Sequence, residues 1–343
     1  MYADIPIWLS LVFMFGGLAL LAWSSDVFVD GAAVIAKALG ISPFIIGMVI
    51  IGFGTSAPEL CVSTMSGLSG HSDLSMGNAY GSCVFNIAAI LGVAVLIFPL
   101  VVRPSVSIVA GGVLSAVTAF TFLLLKDGGC SRFDAVLLLV GFAIVMPLYC
   151  WFDQKTNPPS GEGAEKNVPD RIRLDSRYRR AARRRLVIAT VKLAVGLGVL
   201  IGSSHFLLWG AVDFAKAMGV GDLLIGLTIV AAGTSLPELA SAVASARRGE
   251  HEFVLGNIIG SNLFNTLAVV GLATVISPTS TFSHYIVTRD LPLLLVLSAS
   301  IFVFGFNWRH PKFPGVINRK EAFLWLLAYV GYTCLMIYQE IPK

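Results

Sequence analysis

The chain has 343 residues, of which 56% are hydrophobic and 13% are charged, and its formal net charge is +4. Soluble domains carry about 25% charged residues, and a chain with a mean hydropathy of +0.82 cannot bury its apolar surface in one aqueous core. The composition therefore excludes a soluble globular protein. Because the apolar residues form runs long enough to cross a bilayer as helices, the sequence predicts an all-α integral membrane protein.

The apolar residues fall into about ten runs, each near the roughly 20 residues that a membrane helix needs. In the first half of the chain the runs lie at about 5–24, 43–69, 74–100, 105–125 and 133–152. In the second half they lie at about 186–212, 222–246, 252–277, 287–306 and 321–339. No basic segment precedes the first run and no persuasive cleavage site follows it, so we expect a retained helix and not a signal peptide.

A polar segment, 153–185, separates the two halves. It contains two adjacent prolines and ten Lys and Arg residues, most of them between 171 and 185. A juxtamembrane basic cluster is normally explained by topology and anionic lipid, so we interpret this segment as a solvated linker, helical at 176–185, and not as a nucleic-acid site. The predicted domains are therefore a membrane half at 1–152, a cytoplasmic linker at 153–185 and a second membrane half at 186–343.

The distribution of Lys and Arg predicts the orientation, because cytoplasmic loops carry an excess of both. If the linker is cytoplasmic, the other inside loops carry Lys37, Arg103, Arg247, Arg248, Arg309, Lys312, Arg319 and Lys320. The outside loops and the C-terminal tail then carry only Lys126, Arg132, Lys216, Arg289 and Lys343. We therefore expect a multi-pass protein of the cell (inner) membrane with both termini outside.

The cysteines and histidines form no recognisable metal or redox motif. The five cysteines are scattered and show no C-x-x-C spacing, so we expect free thiols packed as small hydrophobic side chains. His71 and His251 lie at predicted loop positions beside the shared motifs of the repeats described below, where we expect solvated loop histidines and not pH sensors. The cysteines are Cys61, Cys83, Cys130, Cys150 and Cys334.

An internal repeat relates the two halves. Residues 41–99 align without a gap to residues 220–278 at an offset of 179, and 22 of the 59 aligned positions are identical. Five predicted spans separate the copies, so the copies enter the membrane in opposite directions. Such inverted repeats are typical of secondary transporters, which bind substrate near the bilayer midplane between the copies. The fold predicted is therefore about ten transmembrane helices arranged as two inverted five-helix repeats.

The first shared motif, GTS-x-PEL, places a carboxylate in the middle of a hydrophobic run. A membrane-embedded carboxylate is costly and usually functional, and no Lys or Arg lies near either copy to pair with it. The proline disturbs the preceding turn and frees carbonyl groups, while Thr and Glu share one helix face. Carboxylate, hydroxyl and carbonyl oxygens are the ligands that Na⁺ and Ca²⁺ prefer. The motif residues are Thr55, Ser56, Pro58 and Glu59, and Thr234, Ser235, Pro237 and Glu238.

The second shared motif adds neutral oxygens. Ser82 and Asn86 are four residues apart, as are Ser261 and Asn265. In a helix this spacing puts each pair on one face, and we expect the asparagines to bind a cation or to orient the glutamates. The glycines before each pair, at 77–81 and 256–260, are better explained by close helix packing.

The two motifs together resemble the alpha-repeats of the cation/calcium exchanger (CaCA) superfamily, in particular bacterial sodium/calcium exchangers. The resemblance covers the whole chain and implies which of its residues line the ion sites. It also implies that the first and sixth spans slide or rock against the rest, and that the carbonyls of Gly52 and Ala231 contribute. Some relatives have Asp where this chain has Asn265. Within this chain, the first copy of the repeat has Cys83 where the second copy has Asn262. The implied ligands are Glu59, Glu238, Thr55, Ser56, Thr234, Ser235, Ser82, Ser261, Asn86 and Asn265.

The expected function is antiport of Ca²⁺ for Na⁺ by alternating access at a central site with two glutamates. A proton/calcium exchanger or a potassium-dependent sodium/calcium exchanger using the same site remains an alternative; a channel or a purely structural protein does not explain paired acids in an inverted repeat. The chain shows no P-loop and no paired nucleophile and base, so we expect no enzyme activity and no cofactor. The expected partners are the transported ions and the lipid bilayer, with no nucleic acid and no obligate protein partner evident.

Overall fold

A computed structural model of the chain describes residues 6–68, 70, 72–156, 176–218 and 231–340. In this part of the chain the fold is almost entirely helical, with two three-residue strands, β1 (Leu100–Val102) and β2 (Gly315–Ile317). The helices are α1 (Ile7–Leu39), α2 (Pro43–Thr55), α3 (Ala57–Leu68), α4 (Ser72–Ile97), α5 (Val106–Leu124), α6 (Arg132–Thr156), α7 (Ser176–Ala217), α8 (Leu236–Arg247), α9 (His251–Ile276), α10 (Ile286–Gly305) and α11 (Arg319–Glu340).

The membrane spans follow the predicted apolar runs closely. Among the described residues, eight helices are long and apolar enough to cross a membrane, and α2 with α3 forms a ninth span that is bent by 44°. The remaining predicted span, 222–246, lies partly outside the described residues and ends as α8. The first run is longer than predicted, since α1 continues to Leu39, and the predicted helix at 176–185 is the start of α7.

Glycine residues let the two longest helices, α1 and α7, pack side by side. A Cβ atom on Gly17 would lie 2.7 Å from a backbone nitrogen of α7, and one on Gly210 would lie 2.5 Å from a backbone oxygen of α1. Gly31 and Gly196 are as tightly placed, at 2.7 Å. The four glycines pair at the repeat offset of 179 residues, so the inverted repeat extends to these helices. The described parts of α1 and α7 contact each other more than the rest of the protein.

The replacement of Gly17 by alanine should destabilise the protein by about 1–3 kcal/mol, because the added methyl group has no room. Gly16→Ala is a matched control, since Gly16 is exposed on the same helix and no described atom lies within 4 Å of its Cβ position. That change should be neutral or stabilising by up to about 1 kcal/mol. The measurement is the thermal unfolding midpoint of the purified protein in detergent. Equal midpoints for the two variants would contradict the close packing of α1 on α7.

Contacts between loops sort them into two sets at opposite ends of the spans. At one end, β1 follows α4 and pairs antiparallel with β2, which precedes α11. At the other end, Cys130 forms a β-bridge with Thr279, joining the loop after α5 to the loop after α9. Loops that follow odd-numbered spans therefore meet at one end, and loops that follow even-numbered spans meet at the other, as expected when a chain crosses a membrane repeatedly.

The predictions for cysteine and histidine are confirmed in part. All five cysteines are free thiols. Cys83 and Cys130 are buried as predicted, but the packing prediction is wrong for Cys61 and Cys334, which are exposed on α3 and α11. An exposed thiol on a membrane helix costs little, because lipid is as apolar as a protein core. His251 is the first residue of α9 and not a loop residue; His71 lies outside the described residues.

Candidate functional site

Each repeat contains a helix that is interrupted beside its buried glutamate. Between α2 and α3 the backbone leaves helical geometry at Ser56 (φ −83°, ψ 7°). Between the helical turn Ala231–Gly233 and α8 it does so at Ser235 (φ −92°, ψ 14°). Pro58 and Pro237 stand two residues later, and a proline has no N–H to donate to the preceding turn. The interruption therefore falls at equivalent positions of the two copies.

The interruption places each glutamate in the first turn of a new helix. Glu59 lies in the first turn of α3 and Glu238 in the first turn of α8. Both side chains are 0% exposed, and neither forms an ion pair with a Lys or Arg in the described part of the chain. A helix N-terminus favours a carboxylate, because its free N–H groups carry partial positive charge.

Two reciprocal hydrogen bonds bring the repeats together. The Ser235 hydroxyl donates to Oε1 of Glu59 at 2.8 Å, and the Ser56 hydroxyl donates to Oε1 of Glu238 at 3.0 Å. All four side chains are fully buried. Each carboxylate is therefore held by the serine of the other repeat, and its second oxygen remains available to a cation.

The second motif lies on helices α4 and α9, which become π-helical at Asn86–Leu91 and Phe264–Val269. Short π-helical segments inside α-helices often occur at functional sites. Asn86 donates from Nδ2 to Oδ1 of Asn262 at 3.1 Å, and Ser261 donates to the carbonyl of Gly52 at 3.3 Å. Serine and asparagine of the second motif thus contact elements of the opposite repeat.

Several buried oxygens of these motifs have no hydrogen-bond partner in the described part of the chain. Buried polar groups are nearly always paired, so a concentration of unpaired acceptors requires an explanation. Two carboxylate oxygens with hydroxyl and amide oxygens form a ligand set for a hard cation. The unpaired atoms are Oε2 of Glu59, Oε2 of Glu238, Oγ of Ser82, Oγ1 of Thr234, and Oδ1 of Asn86 and of Asn265.

The predicted ligand Thr55 and the carbonyl group of Gly52 already take part in hydrogen bonds within the protein. Thr55 donates to the Ile51 carbonyl at 3.0 Å, which turns its hydroxyl hydrogen toward its own helix. The Gly52 carbonyl already accepts the Ser56 backbone N–H and the Ser261 hydroxyl. Ala231 is the first residue described after a gap. The Thr55 hydroxyl and the Gly52 carbonyl are therefore more fully engaged than the glutamates, each of which has one carboxylate oxygen without a partner in the described part of the chain.

Sequence reasoning missed two asparagines that support the site. Asn78 donates to the Glu59 carbonyl at 3.2 Å and to the Ser63 hydroxyl at 2.9 Å. Asn257 makes similar contacts in the other copy, to the Glu238 carbonyl at 3.3 Å and to the hydroxyl of Ser241, one position before the equivalent of Ser63, at 2.9 Å. The shared Gly-Asn dipeptide of the second motif was the signal that could have identified them.

Close helix packing explains the glycines of the second copy. A Cβ atom on Gly256 would lie 2.3 Å from the Phe44 carbonyl oxygen, and one on Gly260 would lie 2.3 Å from that of Met48. The predicted packing role is confirmed there. In the described residues no group of three or more His, Cys, Asp and Glu side chains could hold a metal ion.

Two inverted repeats, each with an interrupted helix and a buried carboxylate at its centre, define a secondary transporter. The chain belongs to the sodium/calcium exchanger family: the family model described as sodium/calcium exchanger protein matches residues 9–151 and 188–338. Its relatives include the putative antiporter CaxA of Alkalimonas amylolytica, 37% identical over 327 residues, which cover 95% of this chain and 98% of CaxA. Inner membrane protein YrbG of Escherichia coli is 33% identical over 87% of this chain and 89% of its own length.

A solved structure of the sodium-calcium exchanger NCX_Mj, soaked with Na⁺ and Sr²⁺, has the same fold. The TM-score is 0.78 at 28% sequence identity, with 98% of this chain and 100% of that chain covered. The predicted fold class, about ten transmembrane helices in two inverted five-helix repeats, is confirmed. The chain is therefore a multi-pass membrane cation antiporter and not an enzyme.

Proposed function

We propose that the chain exchanges Ca²⁺ for Na⁺ by alternating access at one central site. The two unpaired carboxylate oxygens, held in place by the reciprocal Ser–Glu hydrogen bonds, are the observation that carries this proposal. NCX_Mj, which shares the fold, is a sodium-calcium exchanger by name. The proposed ligands are Glu59, Glu238, Asn86, Asn265, Thr55, Ser56, Thr234, Ser235, Ser82 and Ser261.

The negative charge of the site explains why one kind of cation must replace another. Two ionised glutamates give a charge of −2, which one Ca²⁺, two Na⁺ or two protons would neutralise. Bare carboxylates in a dry site are costly, so the site without a cation should not cross between the two access states. One ion can therefore leave only when another has replaced it.

The helices α1 and α7 are the proposed moving part. In the described part of the chain they contact each other more than they contact the other helices, and glycines let them pack closely as a pair. The Ser–Glu hydrogen bonds join residues beside α3 and α8 and include none of α1 or α7, so this two-helix unit can shift without breaking them. This arrangement supports a rocking or sliding motion past the central site.

The test is ⁴⁵Ca²⁺ uptake into proteoliposomes that contain the purified chain. Liposomes loaded with Na⁺ should take up Ca²⁺ when the outside contains no Na⁺, and liposomes loaded with choline at equal pH should not. Uptake driven by an acidic interior without Na⁺ would instead establish a proton/calcium exchanger. Uptake that needs K⁺ beside Na⁺ would establish the potassium-dependent alternative. Absence of uptake under every gradient would contradict the proposal.

We also propose that the linker 153–185 is cytoplasmic, that both termini are outside, and that the membrane is the cell (inner) membrane. The excess of Lys and Arg in one set of loops supports this orientation. In a cysteine-free background, an impermeant thiol reagent added outside intact cells should label Asp127→Cys in the loop after α5 and miss Ser160→Cys in the linker. The reverse labelling pattern would overturn the orientation and leave the repeat intact.

A further inference from the structure

The two repeats differ at one place inside the central site. Positions 179 residues apart are equivalent, so the hydrogen-bonded pair of Asn86 and Asn262 has a counterpart formed by Asn265 and Cys83. The first pair is two amides; the second is an amide and a thiol. The symmetry of the site is therefore broken beside Asn265.

The pairing with Asn262 orients the side chain of Asn86. Nδ2 of Asn86 donates to Oδ1 of Asn262 at 3.1 Å, and both side chains are 0% exposed. An amide whose nitrogen is committed to one acceptor must turn its oxygen the other way. Oδ1 of Asn86 has no partner in the described part of the chain, so it is a fixed acceptor.

Asn265 has no such constraint. It is 0% exposed, and neither Oδ1 nor Nδ2 has a hydrogen-bond partner among the described residues. The Cys83 thiol instead lies 3.7 Å from the Asn262 carbonyl oxygen and 3.6 Å from the Thr266 hydroxyl. A thiol is only a weak acceptor, so Cys83 cannot orient Asn265 as Asn262 orients Asn86.

We propose that Asn262 is a positioning residue that aims the oxygen of Asn86 at the transported cation, and that Cys83 leaves Asn265 without the equivalent support. The inference rests on the proposed function, because it assigns unequal roles to two ligands of the same site. Ordering one side chain on binding costs about 0.5–1.5 kcal/mol. Asn86 avoids this cost and Asn265 does not, so Asn86 contributes more to cation affinity.

The test exchanges Cys83 and Asn262 between the two repeats. It then asks whether Asn265 replaces Asn86 as the asparagine whose loss raises the KM for Ca²⁺ more. In the natural chain, Asn86→Ala should raise the KM for Ca²⁺ about two- to tenfold more than Asn265→Ala does. In the double variant Cys83→Asn/Asn262→Cys the order should reverse. A purely structural role of these residues would lower the amount of folded protein or Vmax without reversing the order of KM. An unchanged order in the exchanged background would overturn the inference.

Single variants keep the test usable if the double variant fails to fold. Cys83→Asn should lower the KM for Ca²⁺ by about two- to tenfold, and the effect should vanish when Asn265 is alanine. Cys83→Ala, which supplies neither an amide nor a hydroxyl that could accept from Asn265, is the matched control and should leave the KM unchanged. An equal decrease with and without Asn265 would overturn the inference.

The same experiments separate this inference from the proposed function. Half-saturating Ca²⁺ and Na⁺ concentrations for thermal stabilisation in detergent give a second measure of affinity that does not depend on transport. A natural chain that neither exchanges nor is stabilised by either cation contradicts the proposed function, and the inference falls with it. Exchange with an unaltered order of the asparagine variants contradicts the inference alone.

Discussion

Glu59→Gln and Glu238→Gln should each reduce Na⁺-driven Ca²⁺ uptake at least about a hundredfold, since removing one partner of a buried charge pair costs about 3–5 kcal/mol. Glutamine keeps the shape and the acceptor of the natural side chain but removes half of the site charge. A divalent ion then faces one carboxylate in a dry setting. The reciprocal serine can still donate to the amide oxygen, so the fold should survive.

The measurement compares initial rates of ⁴⁵Ca²⁺ uptake at equal amounts of reconstituted protein. Glu250→Gln is the matched control, because Glu250 precedes α9 and lies outside the central motifs; it should transport normally. Gel filtration and the thermal unfolding midpoint would show whether the Gln variants are folded. Normal uptake by both Gln variants would place the ion site elsewhere.

The broad architecture and the burial of the two glutamates could be predicted, because both copies of the repeat carry the same motif. A carboxylate in an apolar run has few structural uses, and its presence twice at a fixed offset indicates a shared role. Helix interruption at Ser56 and Ser235 likewise follows from Pro58 and Pro237, whose missing N–H has a local effect. Such features depend on residues near each other in sequence, which is why the sequence reveals them.

The remaining features depend on contacts between distant residues. Nothing in the spacing of Asn78 and Asn257 indicates that each binds the main-chain carbonyl of its own repeat's glutamate. The pairing of Asn86 with Asn262 crosses from one repeat to the other, so neither motif reveals it alone. The length of α1 was also missed, because its polar residues near the end resemble a loop.

The two aspartates of α1 lie where basic residues of neighbouring elements can pair with them. Asp30 accepts a hydrogen bond from Lys192 at 2.7 Å and lies 3.3 Å from Arg248. These are half-exposed groups at one end of α1, where such pairs contribute little to stability. Because these aspartates have basic partners, α1 can continue past its apolar run. An average of hydropathy along the sequence does not detect this pairing.

Asn86→Leu and Asn265→Leu should both reduce uptake at least about tenfold. Each change replaces a polar oxygen with an apolar branch and so removes a cation ligand. Losing a hydrogen-bond-like contact to a charge costs about 1.5–3 kcal/mol. The reduction should be larger at Asn86, whose oxygen is held in place by Asn262. Ile87→Leu is the matched control, since Ile87 is fully buried on the same π-helical segment and a volume-conserving exchange there is tolerated. A fully active Asn86→Leu variant would show that the asparagines only pack helices, and the site would then consist of the two GTS-x-PE motifs.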